Sequence, residues 1–323
     1  LSELIVDLLL LGVFIAILVK SAIFAIESIV KFSKITGIGE LAAGFVIVAV
    51  STSAPEISVA FFATQSNNVG ITLGDIFGSN VTNVALIAAV FLLISPIKEI
   101  RHKTLRSLLP LLLVSSAIPL ILLITQEGSK FVAGALLVVF AFFLYYIFKF
   151  HPKENPPEKE SGSALRSLIF FFIGIGLVII SAKMIVDNAS SIADATGIRQ
   201  SVIGATIIAI GTSLPELTVD VIAVRKRHLE LAFGDIIGSC ITNITLVLGI
   251  VLVLSSVTVN FGILSTLISF SIIAPFVLFV LLRKAKIRKW NSVVLLGVYV
   301  AFLIIIYEVQ IYIGGIYVPT QNI

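Results

Sequence analysis

Two glutamates, Glu56 and Glu216, each follow a proline inside strongly apolar sequence, in Ser-Thr-Ser-Ala-Pro-Glu at 51–56 and Gly-Thr-Ser-Leu-Pro-Glu at 211–216. An ionisable group is costly in sequence apolar enough to span a bilayer, which makes each glutamate a candidate for function. Thr52, Ser53, Thr212 and Ser213 add hydroxyls beside them. A proline in a helix interior lacks an N–H and clashes with the carbonyl four residues back, so each helix is expected to break, freeing carbonyls around 50–53 and 210–213. At membrane depth such carbonyls are tolerated only when buried in protein or lining a polar cavity. Carboxylates, hydroxyls and carbonyls together form an all-oxygen set suited to a hard cation.

A second motif reads Gly-Asp-Ile-Phe-Gly-Ser-Asn-Val-Thr-Asn at 74–83 and Gly-Asp-Ile-Ile-Gly-Ser-Cys-Ile-Thr-Asn at 234–243. The glycines at 74, 78, 234 and 238 have the spacing that lets helices approach closely. Ser79 and Asn83 are four residues apart and share a helix face, as do Ser239 and Asn243, so each pair can present oxygens to one cavity. Asp75 and Asp235 read either as cavity-facing carboxylates or as acceptors for a helix break. The plainer account is that these hydroxyls and amides only hold helices together while proline makes a kink. It does not explain why the Pro-Glu pair occurs twice in register. Calcium takes about six to eight oxygens in adaptable geometry, whereas zinc or copper would recruit His or Cys. His102, His151 and His228 fall in basic connecting segments, and Cys240 reads as a small packing residue.

Both motifs belong to one duplication. Residues 36–83 recur without a gap as 196–243, with 19 of 48 paired positions identical. The elements that position them follow from composition. With 58% hydrophobic and 12% charged residues and a mean hydropathy of +1.15, the chain lies far from a soluble domain, where about 25% charge is usual. An all-α membrane protein with ten transmembrane helices is expected, at about 4–32, 37–65, 70–96, 104–125, 130–148, 167–194, 198–224, 229–256, 259–282 and 290–308. With the N-terminus outside, 18 of the 22 Lys and Arg fall in cytoplasmic connections, which favours ten spans and both termini outside. Residues 151–166 form the one clearly hydrophilic linker, cytoplasmic on this count, between a five-helix repeat at 1–150 and another at 167–323. An odd number of spans per repeat inverts the second copy, and inverted repeats with broken helices mark many secondary transporters.

Lys20, Glu27, Lys183 and Asp187, on the long first and sixth spans, are expected to snorkel or pair locally. The aromatic run at 140–150 is expected to face lipid, with Tyr145 and Tyr146 near an interface. The first apolar run is too long for a signal h-region and lacks a basic n-region, so no cleaved signal peptide is expected, and a start at Leu1 is what a shortened N-terminus would give.

Taken together, Gly-Thr-Ser-Leu-Pro-Glu and Gly-Ser-x-x-x-Asn in both halves resemble the two alpha-repeats of the calcium/cation antiporter superfamily, which includes sodium/calcium and proton/calcium exchangers. The resemblance implies ten helices, with spans 2, 3, 7 and 8 forming an ion-binding core across which spans 1 and 6 slide. It implies that Glu56 and Glu216 bind calcium with the carbonyls of Thr52 and Thr212. Ser53, Ser79, Asn83, Ser213, Ser239 and Asn243 would bind the counter-ion or complete the cavity. Two departures stand out: Asp75 and Asp235 occupy positions where many sodium/calcium exchangers carry Asn, and Ser51 replaces a glycine. Thr-Ser-x-Pro-Glu leans toward sodium coupling, while four intramembrane carboxylates keep protons open as the counter-ion. The expected activity is export of Ca2+ in exchange for Na+ or H+ from a multi-pass protein of the cell membrane. Alternatives are a cation channel with a carboxylate selectivity ring and an antiporter for another divalent ion such as Mn2+. No enzyme chemistry, resident cofactor or nucleic-acid partner is expected. The transported cations and the lipid bilayer are the expected partners, and oligomeric state is not encoded legibly.

Overall fold

A backbone in hydrocarbon must satisfy its polar groups internally, and apolar runs of this length do so as helices. The computed structural model of the chain describes residues 2–36, 50–94, 103–125, 127–150, 162–196, 198–225, 229–255, 257–258, 261–282 and 289–316. The three histidines, most of the 151–166 linker and most residues of the basic connections near 98–101, 226–228 and 283–288 lie outside these. The long first helix, α1, is Ser2–Thr36. α2 (Ala54–Gln65) and α3 (Val69–Val81) carry the first pair of motifs. A π-helical turn over Thr82–Ile87 joins α3 to α4 (Ala88–Ile94). There follow α5 (Lys103–Ala117), α6 (Leu120–Thr125), α7 (Lys130–Phe150) and the long α8 (Ala164–Thr196).

The second copy begins with α9 (Gln200–Ile203), a π turn over Gly204–Ile208 and α10 (Ala209–Thr212). α11 (Leu214–Arg225) and α12 (Leu229–Thr242) carry its motifs. A π turn over Asn243–Val247 leads to α13 (Leu248–Leu254), and α14 (Phe261–Leu282) and α15 (Lys289–Ile316) complete the order. The described residues are otherwise helical apart from a two-residue antiparallel ladder, Glu127 opposite Thr258 and Gly128 opposite Val257.

Among the described residues, six stretches are long and apolar enough to cross a membrane: 5–25, 69–94, 164–192, 234–254, 262–282 and 289–311. Shorter apolar helices cover 109–125 and 130–146. The run expected as one span at 104–125 is divided, because Pro119 cannot continue the helix that ends at Ala117. The stretches holding the second motif, 69–94 and 234–254, are 82% and 83% buried, against 24% for 5–25 and 33% for 164–192. The repeated motifs therefore occupy the centre, and the two long helices lie outside it.

Glycine makes this centre close-packed. A Cβ on Gly74 would collide with the Ser201 carbonyl, and one on Gly78 would come within 2.6 Å of the Ala205 backbone. Gly204 returns the approach against Ile71 and Asp75. Around it, α1 and α8 pack along each other, with Gly174 against Ala25 and the Phe24 and Phe170 rings 5.7 Å apart. The outward faces of these two helices expose Ile5, Val6, Leu9, Val13, Phe172 and Ile180, as lipid contact requires. Lys20, Glu27, Lys183 and Asp187 are all exposed. The aromatic run is split, with Phe142 and Tyr145 exposed, Tyr146 half-buried and Phe143 in the core, because a helix turns one face of any run inward.

Candidate cation site

Each proline interrupts its helix for one residue. The chain turns at Ser53 and at Ser213, whose φ and ψ are −78° and 5°, and −82° and 5°; the helix then resumes. Pro55 and Pro215 sit at the start of the continuing helices, where a missing N–H is harmless. The break is tighter than expected from sequence. Ser53 O accepts from Ile57 N at 3.0 Å and Ser213 O from Leu217 N at 3.1 Å, so these two carbonyls are engaged. The carbonyls four residues before the prolines, at Ser51 and Gly211, lose an intrahelical donor to the missing proline N–H, and Gly211 O accepts a backbone N–H of the helix end instead.

All twelve residues singled out from sequence are buried, none of them more than 3% exposed. The structure joins the two copies reciprocally. Thr212 Oγ1 donates to Asp75 Oδ1 at 3.0 Å, and Thr52 Oγ1 donates to Asp235 Oδ1 at 3.4 Å. Ser79 Oγ lies 3.3 Å from both Asp75 Oδ1 and Thr212 Oγ1, and Ser239 Oγ lies 3.2 Å from Thr52 Oγ1. Each aspartate thus accepts from the helix break of the opposite copy. Each also keeps one oxygen, Oδ2, without a hydrogen-bond partner among the described residues.

Several of the remaining buried polar atoms lack a hydrogen-bond partner among the described residues. Both carboxylate oxygens of Glu56 and of Glu216 lack a hydrogen-bond partner, as do Ser53 Oγ, Ser213 Oγ and both amide atoms of Asn83. Asn243 donates to Asn80 Oδ1 at 3.3 Å, leaving its own Oδ1 unpartnered. Glu56 lies within electrostatic reach of Asp75, Asp235 and Glu216, which makes one acidic neighbourhood from both copies. Buried polar groups are normally paired, and a concentration of orphaned acceptors needs an explanation. Among the described residues no three His, Cys, Asp or Glu side chains converge closely enough to hold a metal ion alone. A cation here would draw on hydroxyl, amide and carbonyl oxygens as well as carboxylates.

Sequence reasoning missed three features. The π turns at 82–87 and 243–247 contain Asn83 and Asn243; such turns insert a residue into a helix and recur at functional sites, with no composition signal to reveal them. Asn80 and Cys240, paired under the 160 offset, pin the copies together: Asn80 Nδ2 donates to Cys240 O at 3.3 Å, and Cys240 Sγ lies 3.9 Å from Asn80 O. Asp220 is a further fully buried carboxylate near Glu216 and Asp235. Its place in an apolar helix marked it, but its lack of a repeat partner hid it.

The sodium/calcium exchanger protein family matches residues 6–149 and 166–308, nearly all of both halves. The sodium/calcium exchanger MaX1 of Methanosarcina acetivorans is 28% identical over 349 aligned residues, covering 94% of this chain and 98% of that protein. The inner membrane protein YrbG of Escherichia coli is 32% identical over 228 residues, covering 66% of this chain and 69% of that protein. Among solved structures, the sodium-calcium exchanger NCX_Mj soaked with Na+ and Sr2+ superposes with a TM-score of 0.68 at 25% identity, covering 92% of this chain and 98% of that one.

Proposed function

Since the chain belongs to the sodium/calcium exchanger protein family, whose members are transporters and not enzymes, we propose that it is a secondary active antiporter that moves Ca2+ outward in exchange for Na+. The observation that carries this reading is the set of orphaned oxygens: four on Glu56 and Glu216, with Ser53, Ser213, Asn83, Asn243 and one oxygen each of Asp75 and Asp235 around them. Glu56 and Glu216 neutralise the two charges of Ca2+, with oxygens of Thr52, Thr212, Ser79 and Ser239 completing the shell. Sodium ions entering the same oxygens replace that neutralisation, so occupancy by one cation excludes the other. An empty acidic cavity is costly to carry through a low-dielectric barrier, which suppresses leak.

The proposed architecture is ten spans in two inverted five-helix repeats, 1–150 and 167–323, joined by a cytoplasmic linker at 151–166. In this arrangement both termini are outside, the protein sits in the cell membrane, and the central helices alternate between access to either side. If the exchanged charges differ, transport is electrogenic, at about 2.3 kcal/mol per net charge per 100 mV.

The test is Ca2+ flux into proteoliposomes under an imposed Na+ gradient, with Glu56→Gln and Glu216→Gln as comparisons. Saturable, Na+-dependent flux in the native protein and its loss by at least about a hundredfold in either variant are expected, since each removes a buried ligand charge. Flux driven only by a proton gradient would replace Na+ as the counter-ion. Ohmic Ca2+ current needing no counter-ion would replace the antiporter with a channel.

A further inference from the structure

Asp220 belongs to neither repeated motif, and the residue 160 positions earlier is Ala60. The second copy therefore carries an acidic group that the first lacks. Asp220 is 0% exposed, and neither carboxylate oxygen has a hydrogen-bond partner among the described residues. It follows Glu216 by four residues on α11, so the two project from one face, about 6 Å apart along the axis. Across the contact between α11 and α12, Asp235 is within electrostatic reach of Asp220, and Asp235 Oδ2 is itself unpartnered. From the first copy, α1, α4 and the π turn at 82–87 also pack on α11; α4 and the π turn contain no charged residue, and Lys20, Glu27 and Lys31 of α1 are exposed.

An ionised carboxylate removed from water without a donor or counter-charge is strongly unfavourable, and a second carboxylate beside it makes matters worse. Such a pair must be neutralised, by protons or by a bound cation. A divalent ion such as Ca2+ takes about six to eight oxygens, and the two carboxylates lack the set of unpartnered hydroxyl and amide oxygens that the central cluster adds. A hard, singly charged ion held by carboxylate oxygens suits the two acids. We propose that Asp220 and the free Oδ2 of Asp235 form an accessory position for an alkali-metal cation, one helical turn from Glu216 and present in the second repeat only. The proposal rests on the reading of the central cluster as a cation site, and it adds to that site an asymmetric position that shares Asp235 with the repeated oxygens and takes its second carboxylate, Asp220, from outside them. Occupancy there screens Glu216 from one side and makes the counter-ion requirement of the two halves unequal.

The experiment measures melting temperature of the purified full chain against NaCl or KCl at constant ionic strength in choline chloride, without Ca2+, for the native protein, Asp220→Ala and Asp220→Asn. Alanine reproduces the residue at position 60, and asparagine keeps the shape should alanine prevent folding. A ligand that binds only the folded state raises the melting temperature with its occupancy. The native protein is expected to respond to Na+ or K+, and both variants to need at least about tenfold more of that ion for the same shift. Their response to Ca2+ should stay within about threefold of native. Alkali dependence unchanged within about twofold would overturn the proposal, as would an equal loss of Ca2+ and alkali responses, which would place Asp220 in the divalent site or in the fold alone. A response to pH that replaces the alkali response would also overturn it, in favour of a proton. Na+-driven Ca2+ flux on the same native sample separates the two ideas: no flux with an intact Asp220-dependent alkali shift removes the antiporter reading and keeps the accessory position, and flux without such a shift does the reverse.

Discussion

The hydroxyl of Thr212 holds Asp75 in place across the boundary between the copies, and that single contact exposes what sequence could and could not say. Thr-Ser-x-Pro-Glu announces itself because proline and glutamate are out of place in an apolar helix, and because it occurs twice. The partner of each threonine is invisible in a linear reading, because it lies in the other copy, 137 residues away for Thr212 and 183 for Thr52. Asp220 was illegible for the opposite reason, having no second copy to raise it above a lone buried acid. The two threonines are chemically equal but geometrically not, with donor distances of 3.0 Å at Thr212 and 3.4 Å at Thr52. Thr212→Val keeps the shape and removes the donor to a carboxylate, a loss of about 1.5–3 kcal/mol. It should raise the Ca2+ concentration for half-maximal flux about tenfold or more, and Thr52→Val should have a smaller effect. Equal effects in the two variants would mean that the longer contact tightens when a cation is bound.

Among the helices, what could be read was where apolar segments lie and which ones carry polar residues; what could not be read was their detailed course. Long runs such as 167–194 and 290–308 are recognisable because no proline and few charged residues interrupt them. The division at Pro119, the single-residue interruptions at Ser53 and Ser213, and the π turns depend on local hydrogen bonding that hydropathy does not encode. The glycine spacing was legible, and the structure gives it a consequence. The added methyl of Gly78→Ala would meet Ala205 Cα and O at 2.6 Å, both backbone atoms that cannot swing away. The helices must separate, at a cost of about 1–3 kcal/mol. Gly134 has nothing within 4 Å of the same added atom. Gly134→Ala should therefore leave melting temperature unchanged or raise it by the equivalent of up to about 1 kcal/mol, through helix propensity. Gly78→Ala should lower both melting temperature and transport, because its helix leads directly to Ser79 and Asn83. A Gly78→Ala protein as stable and active as native would show that α3 and the 200–208 segment do not have to stay this close.

For the whole molecule, the arrangement separates a pair of long outer helices from an enclosed centre, and the contacts between them differ in kind. α1 and α8 meet along their length through small and aromatic side chains, including Gly174 on Ala25 and Phe24 on Phe170. α8 meets the centre through apolar packing, with Val178, Ala182 and Ile185 in one buried cluster with Val59 and Ala63 of α2, and through hydrogen bonds at the turn between α2 and α3. There Asn68 Nδ2 donates to Ser190 Oγ at 2.6 Å, and Gln200 Nε2 donates to Asn68 Oδ1 at 2.7 Å. If alternating access is a slide of the outer pair past the centre, contacts within the pair persist through the cycle and the Asn68–Ser190 contact must break. Cross-linking separates these cases. Asn68→Cys with Ser190→Cys, oxidised in proteoliposomes, should stop Na+-dependent Ca2+ flux, and reduction should restore it. Ala25→Cys with Gly174→Cys, whose Cβ atoms need to part only slightly to reach the roughly 3.8 Å of a disulfide, should leave flux close to native when oxidised. The native Cys240 is buried and takes no part. Full flux through the locked Asn68–Ser190 pair would mean that α8 stays fixed to the centre, and access to the acids at Glu56 and Glu216 would then have to come from movement within the repeated helices, with the single-residue interruptions at Ser53 and Ser213 as the points of bending.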